Sequence, residues 1–586
     1  MFRSLQFFIR YGWKYDKWYI IEKILAQLTG SLTPLALTIL PKFIIDELMG
    51  PQRVERLALL AALLTGSVFL MQALSTFLSK DSFSHRCRVE AAFQSNLHAA
   101  QARADFGRLE DPAFLDLRQK AEKFLGCDYH GFGYLLDCAL DICGQCITLV
   151  GISAVVFTLN GWLILLFAAM ALLGGLAEMR AKRKAMALYD QVNRSCRGWM
   201  YYSGLFGDFR YGKEVRLNGI ADWLLAREKR YMDDSNAAGE RQNSYYIASG
   251  IAGATCNFVQ QAAAYAYLCA RVVGGAIGIG DFSMYTAAVT TFGASLRRVM
   301  DSFVEIRAYD LYFDAVDEYL NIPATLRQGA DKPVFAETGH RVEFRNVGFR
   351  YPGQSVWALR HVDLAIEPGE TLSIVGENGA GKTTFVKLLT RMYDPAEGTI
   401  LLDGVDIREI DYDAYMGMFA AVFQDFKLFS FSLRDNVAFD LERTDAEVED
   451  CLRRAGLGDK LDALENGVHT HVNREFDEHG FEPSGGEAQK IALARALCRN
   501  APFVILDEPT AALDPRAEYE LYQRFAGLVE GKSALFISHR LSSARFCDRI
   551  AVFAGGELAE YGTHEELCAL KGIYAELYAM QAQFYA

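Results

Sequence analysis

The sequence predicts a helical membrane domain of six spans followed by an α/β domain of the phosphate-loop NTPase type, and three observations carry that prediction. Residues 1–330 hold several apolar stretches long enough for a bilayer. From about residue 341, short β-type runs such as RVEFRNVGFRY and TLSIVG alternate with helical stretches. The charges divide at the same place: residues 1–330 carry 34 Lys+Arg against 31 Asp+Glu, a net of +3, whereas 331–586 carry 26 against 42, a net of −16. A chain of 586 residues calls for more than one domain. The acidic half lacks the basic footprint of nucleic-acid binding, so no nucleic-acid partner is expected.

In the first domain, 1–330, the six predicted spans are about 19–47, 57–79, 133–158, 161–179, 246–277 and 283–305. The second and fourth are the most uniformly apolar. The others carry Gln27, Asp137, Asp141, Gln145, Asn257, Gln260 and Gln261, which lipid penalises unless they face a bundle interior or a wet cavity. Connections alternate between short (Gly50 to Arg56, Asn160–Gly161, about Gly278 to Phe282) and long (about 80–132 and 180–245). The long ones hold 8 and 13 Lys+Arg against two in the short ones, so the positive-inside tendency places the long segments and both termini in the cytoplasm.

Periodic Leu, Ala and Phe with few breaks predict that the spans continue as helices into the long segments. Short helices near Asp111 to Leu117 and Phe209 to Leu217 are candidates for docking on the second domain. The N-terminal SLQFFIRYGWKYDKWY reads as an interfacial helix, without the apolar core of a cleavable signal. Twelve cysteines, scattered from Cys87 to Cys568, lack the spacing of a zinc site or a secreted disulfide framework. Cys143 and Cys146 form a C-x-x-C inside an apolar run, where helix packing is the expected role.

In the second domain, 331–586, TLSIVG leads into Gly376-Glu377-Asn378-Gly379-Ala380-Gly381-Lys382-Thr383-Thr384 and then the helical FVKLLTRMY. This is a phosphate-binding loop between a strand and a helix. Its glycines let backbone N–H groups approach anionic oxygens, Lys382 adds a point charge, and the Thr383 hydroxyl suits Mg²⁺. Downstream, FVILDEP is a buried-strand run ending in Asp507 and Glu508. At such a position Asp507 can hold Mg²⁺ while Glu508 polarises an attacking water.

These residues resemble the ATP-binding cassette (ABC) family, specifically its exporters with membrane and nucleotide-binding domains fused in one chain, and the resemblance covers essentially the full length. It implies further roles. Ser484, Gly485, Gly486 and Glu487 match the signature that caps ATP bound to the opposite cassette. Gln424 in FQDFKLFS matches the loop glutamine between nucleotide and membrane domain, with Mg²⁺ as a further ligand. Tyr351 of FRYP matches the aromatic that stacks on adenine, Asp514 of AALD the dimer-spanning loop, and His539 of FISHR the switch histidine. One departure is Pro483, where the family commonly has Leu; it fits just before a helix start, or marks one half of an asymmetric heterodimer.

By resemblance the chain is a half-transporter. It is expected to work as a homodimer or heterodimer with a second half-transporter, binding ATP and Mg²⁺ and exporting a substrate across the cytoplasmic membrane by alternating access. A regulatory half of a heterodimer and an importer of exporter-like fold are the alternatives. Gln27, Gln72, Asn257, Gln260, Gln261, Tyr265 and Tyr267 are candidates to line a cavity for an amphipathic peptide, lipid or drug; interhelical hydrogen bonding is their other role. No stretch of the size of a leader-processing peptidase precedes the first span, so peptide maturation is not expected.

Overall fold

The computed structural model describes residues 2–126, 133–159, 161–327, 339–439, 441–507, 529, 531–537 and 541–583. It divides into two units, one of Met1–Ala102 with Asp116–Ile322 and one of Arg103–Leu115 with Pro323–Ala586.

The first unit is built on long helices. Helix Phe2–Tyr15 ends at Asp16, whose carboxylate caps the next helix by accepting from the Trp18 amide at 3.1 Å. Helices Lys17–Met49, Val54–Arg103, Tyr134–Leu159, Gly161–Ala187, Ala221–Val273 and Ile279–Leu320 occupy the six predicted stretches and extend beyond most of them. The fifth stops at Val273, four residues short of the expected end. Gly274 and Gly275 follow, Gly275 at φ +69°, and the Ala276 amide folds back on the Arg271 carbonyl, so Ile277 falls in the turn.

Among the described residues, three helices are long and apolar enough to cross a membrane: Lys17–Met49, Val54–Arg103 and Tyr134–Thr158. The stretch 246–277 carries Asn257, Gln260 and Gln261, and 283–305 carries Arg297, Arg298 and Asp301, which lower their mean hydropathy. In Val54–Arg103 the apolar side chains point outward, with Leu59, Phe69, Leu70 and Phe77 each at least 65% exposed, as a lipid-facing surface requires. Polar groups turn inward instead. Gln27 and Gln145 each donate to Asp141 Oδ1 at 3.2 Å, Ser302 donates to its Oδ2 at 3.3 Å, and Lys23 pairs with Asp137 at 2.7 Å. Pro34 and Pro41 sit inside Lys17–Met49, and the Thr38 hydroxyl donates to the Pro34 carbonyl at 2.7 Å.

The second unit holds two sheets. Strands Leu359–Ile366, Val342–Phe349, Glu397–Leu402 and Val405–Asp406 form an antiparallel sheet in that order. The other runs Glu557–Gly562, Arg549–Ala554, Thr371–Gly376, Ser533–Ile537, Phe503–Asp507, Phe419–Val422, parallel except at the first pair. Strands Ser533–Ile537 and Phe503–Asp507 are buried along their whole length, which is why they read as near-continuous apolar runs. Helix Lys382–Leu389 drives Phe385, Val386, Leu388 and Leu389 into the core between the sheets, Phe385 stacking on Phe344 at 4.4 Å.

Arg391 is the most deeply buried cation among the described residues of this unit. Arg391 is 1% exposed, donating to the carbonyls of Ile410 (3.1 Å), Leu326 (3.0 Å) and Arg408 (3.4 Å) and pairing with Asp394 at 3.2 Å. It ties the entry segment Thr325–Arg327 to the turn at 407–410 that follows the antiparallel sheet. Removing it leaves those acceptors buried without a donor, so Arg391→Ala is expected to destabilise this unit by about 3–5 kcal/mol. Chemical denaturation followed by intrinsic fluorescence measures the loss.

Candidate functional site

The loop after strand Thr371–Gly376 is shaped by its glycines. Gly376, Gly379 and Gly381 take φ of +150°, +80° and +103°. A Cβ on Gly376 would lie 2.3 Å from the Phe553 carbonyl oxygen, and one on Gly381 2.5 Å from Leu359 Cδ2, so the path admits no side chain at either position. Lys382, 7% exposed, curls back and donates from Nζ to the Gly376 carbonyl at 2.8 Å and the Glu377 carbonyl at 3.0 Å. Glu377, Asn378, Gly379 and Thr383 face solvent, and Ala380 and Thr384 are buried beneath them. The result is a ring of backbone closed by an ammonium at the start of a helix, a receptor for an anion.

Sheet topology brings the other candidates to the same edge. Strand Ser533–Ile537 lies between Thr371–Gly376 and Phe503–Asp507, with Ile537 opposite both Ile374 and Asp507. Asp507, 5% exposed, therefore ends its strand one strand away from the loop strand. Ligands of parallel sheets bind at these carboxyl ends. Glu508, Asp514 and His539 lie outside the described residues. Tyr351 is half-buried: its hydroxyl shares a 3.0 Å hydrogen bond with Thr384, its ring meets Phe349 and Tyr393 edge-on, and the Lys387 ammonium sits 5.3 Å from its centroid.

Comparison with known proteins agrees with this geometry. The ABC transporter family profile matches residues 359–511. The subtilin transport ATP-binding protein SpaT of Bacillus subtilis is 34% identical over 66% of this chain and 63% of its own length. An ATP-dependent lipid A-core flippase of Alkalilimnicola ehrlichii is 32% identical over 74% of this chain and 73% of its own. This chain belongs to the ATP-binding cassette exporter family. Among solved structures, a bacterial Atm1-family ABC exporter with ATP bound has the same fold, with a TM-score of 0.82 at 24% identity, covering 96% of this chain and 98% of that one.

In this cassette Ser484 starts helix Gly485–Arg499 with a closed capping box. The Glu487 amide donates to Ser484 Oγ at 3.4 Å, and the Ser484 amide and hydroxyl each donate to Glu487 Oε2 at 2.8 Å. The Ser484 amide, with help from its hydroxyl and Lys460, holds the Glu487 carboxyl below its usual range. Pro483 directly precedes the cap, where its missing N–H costs no helical hydrogen bond. Gln424 is exposed in the turn after strand Phe419–Val422. The segment that follows is tied to the loop before Ser484: Ser430 donates to Glu475 at 2.7 Å and accepts from Asn473 at 3.2 Å.

The docking candidate at 111–117 resolves into something shorter. Segment Arg103–Leu115 groups with the cassette, and its contacts come from Asp105, the turn Phe106–Leu109 and Glu110, just before the expected helix. Phe106 packs edge-on against Tyr393, and a Cβ on Gly107 would lie 2.7 Å from the Tyr393 ring. Lys387 donates to Glu110 Oε1 at 2.9 Å, and the Tyr393 hydroxyl donates to Oε2. Asp105 accepts from the Thr325 and Leu326 amides. The second candidate, Phe209 to Leu217, belongs to the membrane unit and presents Phe209 at 93% and Leu217 at 85% exposure.

The membrane unit contains a cavity of about 240 Å³. Asn257 and Gln260 line it as expected; Gln27 is instead held by Asp141, Gln72 is exposed on its helix, and Tyr267 packs on Trp162. Gln261 and Tyr265 are absent from its lining. Glu178, Arg297 and Asp301 also line it and were missed by sequence reasoning, although charges at the end of one predicted span and inside another were a visible signal. Glu110, Lys387 and Tyr393 carried no such signal, because Glu110 lies 277 and 283 residues from the other two and each is unremarkable alone.

Burial opposes the Glu110 charge, but Tyr393 and Lys387 outweigh it and hold the carboxyl below its usual range. Burial and then Glu110 itself push the Tyr393 phenol up, so it stays a donor at neutral pH. A depressed carboxyl contributes stability that is complete above the unfolded pKa of about 4.3 and is lost as pH falls through the lower folded value. Glu110 is 43% exposed, so the pair is worth only about 0.5–1 kcal/mol. Glu110→Gln is expected to speed amide exchange across Phe106–Leu109 roughly two- to fivefold at neutral pH. The wild-type advantage persists down to about pH 5 and disappears below the usual carboxylate range.

Proposed function

We propose that this chain is a half-transporter which hydrolyses ATP to export an amphipathic substrate across the cytoplasmic membrane. The observation that carries the reading is the pairing, in one chain, of a formed phosphate receptor around Lys382 with long helices whose apolar side chains face outward. In this reading six helices span the bilayer, residues 1–330 form the membrane domain and 331–586 the cassette, and the termini and cassette are cytoplasmic, as the basic long segments favour.

The backbone from Gly376 to Thr384 and the Lys382 ammonium hold the ATP phosphates, and Tyr351 stacks on the adenine. The donor set of Thr383, Gln424 and Asp507, oxygens only with one buried carboxylate, fits Mg²⁺. When bound, Mg²⁺ neutralises phosphate charge. Glu508 accepts a proton from the attacking water and His539 donates to the γ-phosphate, while Asp514 serves the dimer interface. A partner's Ser484 to Glu487 segment caps each nucleotide, so one chain supplies half of each site and a dimer is required. The exposed Phe209 and Leu217 suit docking on the partner's cassette. ATP must bind the closed dimer better than the open one to drive the change of access.

The cavity lined by Glu178, Asn257, Gln260, Arg297 and Asp301 offers the substrate charged and amide groups within an apolar bundle. The names of two relatives, a subtilin transport protein and a lipid A-core flippase, support an amphipathic peptide or lipid as the substrate.

Glu508→Gln is expected to lower the ATPase rate of the purified dimer at least about 100-fold and abolish ATP-driven transport into oriented vesicles. Unchanged rates would overturn the assignment. Lys382→Ala is expected to weaken nucleotide binding about tenfold or more by equilibrium titration, since a charge-assisted contact to phosphate is lost.

A further inference from the structure

Asp16, Glu22, Asp81 and His85 gather in the membrane unit, outside every site described above. Asp81 and His85 are four residues apart on one face of helix Val54–Arg103, and Glu22 approaches from helix Lys17–Met49. One ligand atom from each of Glu22, Asp81 and His85 lies within 4.8 Å of the other two. His85 Nε2 is 3.8 Å from Glu22 Oε1.

Two further observations distinguish this cluster from a chance meeting of acids. Asp16 Oδ2 is 2.6 Å from His85 Nδ1, so the carboxylate accepts from Nδ1–H in the tautomer that keeps the Nε2 lone pair free on the side of Glu22. That carboxylate–imidazole relay is how metal-binding histidines are held in the ligating tautomer. Asp16 is itself fixed, 8% exposed at the side chain, by the Trp18 amide and by Arg88 at 3.2 Å. On the other side Glu22 Oε2 is buried with no hydrogen-bond partner, a costly state for a carboxylate oxygen beside a second carboxylate.

We propose that Glu22, Asp81 and His85 Nε2 bind a divalent transition-metal ion, with Zn²⁺ the best fit, and that Asp16 positions the imidazole. One imidazole and two carboxylates form a mixed N/O set with a position left for water. Bonds of about 2.0–2.1 Å place tetrahedral ligands about 3.4 Å apart, so small side-chain rotations close the observed spacing. Asp81 is exposed and provides the way in. The ion would fasten the start of the first long helix to the middle of the second.

The test uses full-length protein in nanodiscs, stripped with chelator, nucleotide-free, and titrated with Zn²⁺ against a chromophoric competitor. The expected result is one Zn²⁺ per chain at submicromolar affinity. His85→Gln and Glu22→Gln weaken it at least tenfold, and Asp16→Asn weakens it roughly ten- to a hundredfold through the ring's orientation. Asp81→Asn, at a solvent-exposed position, keeps the proposal testable if the buried variants fail to fold. Co²⁺ in place of Zn²⁺ should give d–d bands without the thiolate charge-transfer band that the cysteines would produce. Bound Zn²⁺ should raise the Tm of the wild type and not of Asp81→Asn. Millimolar binding only, equal affinity in Asp81→Asn, or a thiolate band would overturn the assignment.

Discussion

The hold of two backbone carbonyls on one ammonium organises the C-terminal half of this molecule. Lys382 reaches back from the start of its helix to Gly376 and Glu377, and the loop between closes into a ring. That closure demands positive φ at Gly376, Gly379 and Gly381, and it demands that the strand before and the helix after be anchored firmly enough to resist the strain. The anchoring comes from a strand buried between two parallel neighbours and from Phe385, Val386, Leu388 and Leu389 packed beneath the helix. An anion receptor of this kind is precise because a rigid sheet and a rigid helix converge on it.

The membrane unit obeys the opposite rule. In lipid no water satisfies a stray polar group, so backbone hydrogen bonds close within helices and polar side chains find one another. Asp141 shows the consequence: it accepts from Gln27, Gln145 and Ser302, carried by three different helices. Such a hub fixes the helices' rotation about their axes, since turning any of them would strand a polar group. The cavity lined by Glu178, Arg297 and Asp301 is the exception, charge kept inside the bundle and around a void.

Much of this was legible because its signals are local. Strand, glycine loop and helix are contiguous in the phosphate loop, and so are Pro483, Ser484 and Glu487 in the capping box. Helix existence in the membrane half followed from long runs without breakers; crossing did not follow as clearly, because Arg297, Arg298 and Asp301 make a helix that is long but not uniformly apolar. What stayed hidden is what the fold assembles from distant positions. Arg391 reads as an ordinary helix-end cation until its acceptors at Leu326, Arg408 and Ile410 are seen. His85 reads as a solitary histidine until Asp16 and Glu22 arrive from another helix.

The turn Phe106–Leu109 shows why a small contact can transmit force. Helix Val54–Arg103 runs by covalent continuity into this turn, and helix Pro112–Gly126 leaves it. The turn holds the cassette through one aromatic edge, a glycine pressed on Tyr393, and one carboxylate shared by Lys387 and the tyrosine hydroxyl. Lys387 also lies 5.3 Å from the Tyr351 ring, and Tyr351 bonds Thr384 of the phosphate loop. A displacement of the loop therefore has a chain of direct contacts, Thr384 to Tyr351 to Lys387 to Glu110, along which to reach the turn. The charge pair is half-exposed and weak, whereas the glycine contact, with no side chain to compress, fixes the register of the turn against Tyr393.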